Sequence, residues 1–189
     1  MTPEYKRLRL AGLCGIAAPI LALLFIFAAI FFSPWFHWSA NALSDLGVGE
    51  AALIFNFGLV IGGILAAVFA VGLFLTYQDI LRRLGVLVFF LGTLSLIGIG
   101  IFSEAAGRIH FYFSVAFFVL VPLSLWIMGA GIFRSGSKGF GVLTMIIAVM
   151  GTLPWVGQWT AVAVPELLSS LSFAVWSIIQ GVRFYFGGL

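Results

Sequence analysis

Charge is scarce in this sequence: only 8% of its 189 residues are Asp, Glu, Lys or Arg. A soluble domain carries roughly a quarter. So few charges cannot cover a surface facing water, which excludes an ordinary soluble fold and makes lipid the main solvent. Cysteine is limited to Cys14, inside the first apolar run. A lone cysteine excludes an internal disulfide, and no Cys/His spacing suggests a zinc finger or redox pair. Cys14 is read as a packing residue. The formal net charge of +3 is spread along the loops, so nucleic acid is not expected as a partner. Charged residues deep in the apolar runs are also missing. They would have marked a transport path. The polar residues at depth are Thr93, Ser95, Ser124, Thr144, Thr152, Ser172 and Ser177, whose hydroxyls can bond to the carbonyl one turn back.

What is abundant is apolar sequence: 63% hydrophobic residues and a mean hydropathy of +1.23. About 20 apolar residues in helix cross the hydrocarbon core, and six stretches qualify: 10–32, 51–77, 84–103, 111–133, 140–160 and 167–186. The runs are continuously apolar rather than alternating, so helices are predicted and barrel strands are not. The expected fold is all-α: a single polytopic transmembrane domain over 1–189, six helices in three consecutive antiparallel hairpins. The basic N-terminal segment superficially resembles a signal peptide. Its apolar run is too long, and no small-residue cleavage site follows, so a retained first span is expected.

Orientation follows from the basic residues. With the N-terminus inside, Lys6, Arg7, Arg9, Arg82, Arg83, Arg134, Lys138 and Arg183 fall on the inner side, and only Arg108 falls outside. Asp45, Glu50, Glu104 and Glu166 are then outside, Glu4 and Asp79 inside. This predicts a multi-pass protein of the cell (plasma) membrane with cytoplasmic N- and C-termini. Trp35, Phe36, Trp38, Trp155, Trp159, Tyr77 and Tyr185 are expected at the interfaces. Trp126 and Trp176 fall mid-span and are expected to pack inside the bundle. Pro19, Pro122 and Pro154 are candidate kinks.

The longest connection is the first outer loop. Within it, 39–47 reads as a short interfacial helix, capped by Ser39 or Asn41 and closed by Gly47, with Leu43 and Leu46 dipping into the interface. Small residues such as Gly58, Gly62 and Gly63, Gly98 and Gly100, Gly129 and Gly131 permit close helix contact, either within the chain or in a homo-oligomer through small-residue helix faces.

Candidate chemistry gathers at the outer ends of the spans. Glu104 and Arg108, four apart, are expected to pair if that segment is helical. His110 and Ser114 then share a face of the fourth span. Asn41, Ser44 and Asp45 lie at helical spacing near His37. Asn56, Gln158 and Glu166 are placed to complete a polar mouth. Asn41, Ser44, Asp45, Asn56, Glu104, Arg108, His110 and Ser114 are therefore the candidate binding residues. Glu104, His110 and Asp45 are the candidate catalytic residues, and with His37 they are candidate ligands for a divalent metal. No HExxH or closely spaced ligand pair is present, and no cofactor is predicted.

Two segments carry a family resemblance: Trp38-Ser-Ala-Asn-Ala-Leu-Ser-Asp-Leu-Gly47 followed by Ile54-Phe-Asn-Phe-Gly58, and Phe102-Ser-Glu-Ala-Ala-Gly-Arg-Ile-His110 with Ser114. Through them the chain resembles the DUF998 family of prokaryotic multi-span membrane proteins, and the run spacing agrees along nearly the whole length. A more distant likeness is to the Frag1/DRAM/Sfk1 membrane proteins, which are associated with lipid handling. The resemblance implies a six-helix bundle and puts Asn41, Ser44, Asp45, Asn56, Glu104 and His110 forward. Where the family pattern often has proline before the acidic residue, this chain has Ser103.

Three functional readings stay open at this point. The leading one is a non-enzymatic protein whose outward-facing polar pocket binds membrane lipid headgroups or a small ligand. The others are a metal-dependent membrane hydrolase acting on lipid, and a structural or partner-binding bundle.

Overall fold

The computed structural model describes residues 3–187, without the side chains of Pro3 and Glu4, so the placing of Glu4 lies outside the described set. Six helices follow one another: α1 Pro3–Phe31, α2 Ala52–Thr76, α3 Ile80–Ile101, α4 Arg108–Arg134, α5 Lys138–Thr152 and α6 Ala163–Tyr185. Six segments are long and apolar enough to cross a membrane. The reason is backbone chemistry: in hydrocarbon each N–H and C=O must be satisfied internally, and a helix does this within one segment. The protein is a multi-pass integral membrane protein built from three antiparallel hairpins.

Each helix packs on its neighbours in sequence, and α1 also packs on α6, so the six form a closed ring. The α1–α6 seam is close. A Cβ added at Gly181 would stand 2.7 Å from the Gly12 carbonyl oxygen. Ser177 Oγ donates to the Gly15 carbonyl at 2.7 Å, and Arg9 hydrogen-bonds the Tyr185 hydroxyl. Gly58 and Gly62 face Phe25 and Ala22 of α1, and Gly129 faces Met145 of α5, so these small residues serve contacts within the chain. Trp176 fills the ring centre against Phe69 and Phe89, buried as expected. Trp126 is not: it is 43% exposed, because it lines an open cavity along α4. Tyr77, at the end of α2, is buried at 5% exposure, since Phe184 packs on its ring. Thr93, Ser95, Thr144, Thr152 and Ser172 donate to carbonyls of the preceding turn.

Two boundaries differ from the hydropathy reading. α5 stops at Thr152, not 160, and a 3-10 turn at Leu153–Val156 follows. Pro154 has no N–H to give the carbonyl four residues back, so the apolar run outlasts the helix. α6 starts at Ala163, earlier than 167, and takes Pro165 and Glu166 into its first turn. A proline is tolerated there because first-turn N–H groups have no intrahelical partner.

The α1–α2, α3–α4 and α5–α6 connections meet at one end of the ring, here the loop end. The chain termini and the other two connections meet at the terminal end. The short helix of the α1–α2 loop is a 3-10 turn at Leu43–Gly47, preceded by Ala42 with no side-chain cap. Its leucines do not dip into lipid. Leu43 and Leu46 are buried among Phe55, Ile99 and Ala163, so the loop plugs the mouth of the ring.

Candidate functional site: an acidic mouth on an apolar groove

The plug is tied down by the residues singled out in the sequence. Asn41 Nδ2 donates to Asp45 Oδ2 at 2.8 Å, and the Ala42 N–H donates to the same oxygen at 3.1 Å. The Asn41 carbonyl accepts from the Ala163 N–H at 3.0 Å. Glu166 Oε2 accepts from the Leu43 N–H at 2.7 Å. Asn56 Nδ2 donates to the Gly47 carbonyl at 3.0 Å, fixing the far end of the turn to α2. Asn41 thus ties the plug to Asp45, and Asn56 ties it to α2.

Glu104 does not pair with Arg108. Gly107 adopts φ +59°, a left-handed conformation that glycine enters without a Cβ clash. This separates the 3-10 turn Glu104–Ala106 from α4, which starts at Arg108. The four-residue helical spacing is lost, and Arg108 is exposed. Glu104 instead meets Asp45 and Ser44 across the mouth. Burial and then the adjacent Asp45 carboxylate raise its pKa to about 7, with the Ser44 hydroxyl pulling the other way. Glu104 Oε2 is buried without a hydrogen-bond partner. One proton among such carboxylates relieves their repulsion.

His110 and Ser114 do share a face. His110 Nδ1 is 2.8 Å from the Phe102 carbonyl, to which it donates, and Nε2 is 3.2 Å from the Ser114 hydroxyl. That leaves Nε2 as the acceptor. His37 stands apart on the exposed rim, its backbone N–H donating to Asn41 Oδ1 at 2.9 Å. Gln158 is exposed. No group of three or more His, Cys, Asp or Glu side chains arranged to hold a metal occurs among the described residues.

The mouth opens into a cavity of about 860 Å³. Ser44, Glu104, His110, Ser114 and Glu166 line its polar end. Below them it runs along α4 past Val115, Val119 and Leu123 to Trp126, walled by Thr152 and Trp155. From His110 to Trp126 the helix rises about 24 Å, most of a bilayer's hydrocarbon thickness. The groove exists because α5 is short: its 3-10 turn swings Trp155 onto Phe118 and bonds Trp155 Nε1 to Ser169 Oγ at 2.9 Å. Sequence reasoning named Glu166 only as a rim residue of a loop. It is buried in α6 at 8% exposure. The groove itself was missed. Its signal was Pro154, which ends a helix inside an apolar run.

The family model described as "Protein of unknown function (DUF998)" matches residues 16–183, nearly the whole chain. The chain belongs to the DUF998 family. The matched region of this DUF998 chain includes the plug, the mouth and the groove. Comparison with curated proteins and with solved structures finds no match.

Proposed function

We propose that this protein binds a membrane lipid whose head group donates hydrogen bonds, as an ammonium or hydroxyl does, with the head in the acidic mouth and a chain in the groove. The mouth faces the outer leaflet in this reading, which the one-sided placing of the basic residues supports. The observation that carries it is continuity: polar acceptors at one end of a cavity whose walls below are apolar and run on along α4 to Trp126. Ligand sites combine this kind of apolar wall with a few convergent polar groups. Asp45, Glu104 and Glu166 disfavour a bare phosphate, which like charge repels, and favour a donor.

The test is lipid retention by native mass spectrometry, using protein taken from nanodiscs containing phosphatidylethanolamine. Val119→Trp fills the groove at a position 54% exposed, so it leaves the core intact. It is expected to cut retention of phosphatidylethanolamine several-fold, and Glu104→Ala likewise. Equal retention by wild type and both variants would sink the reading.

A further inference from the structure

A second cavity lies at the opposite end of the ring, and its chemistry is opposite. It holds about 170 Å³ and is lined by Tyr77, Arg82, Ser137, Phe140, Gln180 and Arg183, among others. Arg82 comes from the first turn of α3. Its guanidinium sits 4.5 Å from the Tyr77 ring centroid and its Nε is engaged by Asp79. Arg183, from the last turn of α6, lies 4.2 Å from the Phe140 ring centroid. Stacking holds both guanidiniums in place while leaving N–H groups to donate.

The donors and acceptors here are unfinished. Arg183 Nε is buried with no hydrogen-bond partner, and so is Gln180 Oε1, on a residue 2% exposed. An orphaned buried polar group costs free energy unless something meets it. Turning the Gln180 amide over exchanges its oxygen for an NH2, so this side chain can present donors to the cavity. Ser137 precedes α5, and its side chain makes no capping bond. The α5 N-terminus therefore adds its positive dipole end to the same space. Both arginines reach Tyr77: burial raises its pKa to about 12 while Arg82 and Arg183 pull it down. Among the described residues, the acidic side chain against this cluster is Asp79, and it is taken by Arg82.

We propose that this terminal-end cavity is a binding site for a phosphate group, held by Arg183 and Arg82 with the Tyr77 and Ser137 hydroxyls and the Gln180 amide. The phosphate is supplied either by a lipid headgroup at the membrane surface or by a free ion. Basic pockets between transmembrane helices suit the first source.

The experiment is native mass spectrometry and thermal shift on the full chain in detergent, titrated with phosphatidic acid or with inorganic phosphate. Binding of phosphatidic acid alone identifies a lipid source, and binding of both or of inorganic phosphate alone identifies a free anion. Arg183→Gln is expected to weaken binding about tenfold, the size of a lost charge-assisted bond. Ser137→Asp guards against misfolding, because an N-cap aspartate favours the helix yet repels phosphate, and it is expected to weaken binding similarly. Arg134→Gln, an exposed basic residue at the same end outside the cavity, is expected to change it less than twofold. No binding of either probe, or equal weakening by Arg134→Gln and Arg183→Gln, overturns the proposal. Val119→Trp, which blocks the groove at the other end, leaves this binding unchanged, so the two sites fail independently.

Discussion

Burial and the neighbouring Asp45 carboxylate raise Glu104 to about 7, against 4.5 for an ordinary glutamate. Between those values the folded protein holds a proton that the unfolded chain has released. Stability from this group is therefore fully present below about pH 4.5 and is lost as pH rises through about 7. Above that, the mouth must hold one more negative charge. Thermal unfolding of the purified protein in detergent should give a higher midpoint at pH 5 than at pH 8. The difference should be roughly 2–4 °C, the shift that about 1 kcal/mol produces at this chain length, after discounting a partly solvated group for screening. Glu104→Gln should flatten the difference. An unchanged slope in that variant would place the titrating group elsewhere. Asn41 shows a second effect at this scale. Its side chain touches no apolar wall of the groove, yet it holds the loop to Asp45 and, through its carbonyl, to α6. Whatever else it does, Asn41 clamps the loop.

At the scale of elements, closure of the ring rests on one close crossing. Gly12 and Gly181 face each other through backbone, and any Cβ there would stand 2.6–2.7 Å from a carbonyl oxygen. Helices in lipid gain little from burying apolar surface, so they need this approach for dispersion contacts. Gly181→Ala should cost about 1–3 kcal/mol as overpacking, lowering the melting midpoint by several degrees. Gly139→Ala is the internal comparison: nothing lies within 4 Å of its added Cβ, so helix propensity alone should make it neutral or stabilising by up to about 1 kcal/mol. Midpoints that moved alike would mean that the seam does not govern stability. The elements themselves were largely legible, because length and unbroken hydropathy decide whether a segment crosses a bilayer. Their ends were less so. Hydropathy reads Leu153, Pro154, Trp155 and Val156 as more span, but backbone chemistry stops α5 there. Likewise the spacing of Glu104 and Arg108 promised an ion pair, and Gly107 at positive φ cancelled it. Periodicity carries no information on which way a turn will fold, so the groove and the Asp45–Glu104 contact arise only from the tertiary arrangement.

The whole molecule is polarised along its axis. Asp45, Glu104 and Glu166 converge at the loop end, while Arg9, Arg82, Arg83, Arg134, Lys138 and Arg183 gather at the terminal end. Insertion tends to retain basic segments on the cytoplasmic side, so the proposed orientation puts the terminal end inward and the acidic mouth at the outer leaflet. The two proposed sites then face lipid pools on opposite sides, a donor head group outside and a phosphate inside, and each matches the charge of its own end. Both assignments depend on orientation, which labelling can decide. Ala40 and Ser135 are exposed at opposite ends, and Cys14 is buried, so Cys14→Ser supplies a background in which a single new thiol reports. A membrane-impermeant maleimide should modify Ala40→Cys in intact cells and Ser135→Cys only after permeabilisation. The reverse pattern would put the basic cavity outside and the groove's mouth in the cytoplasm. The two cavities would keep their chemistry, since that is set by side chains, but the lipid leaflets offered to them would be exchanged.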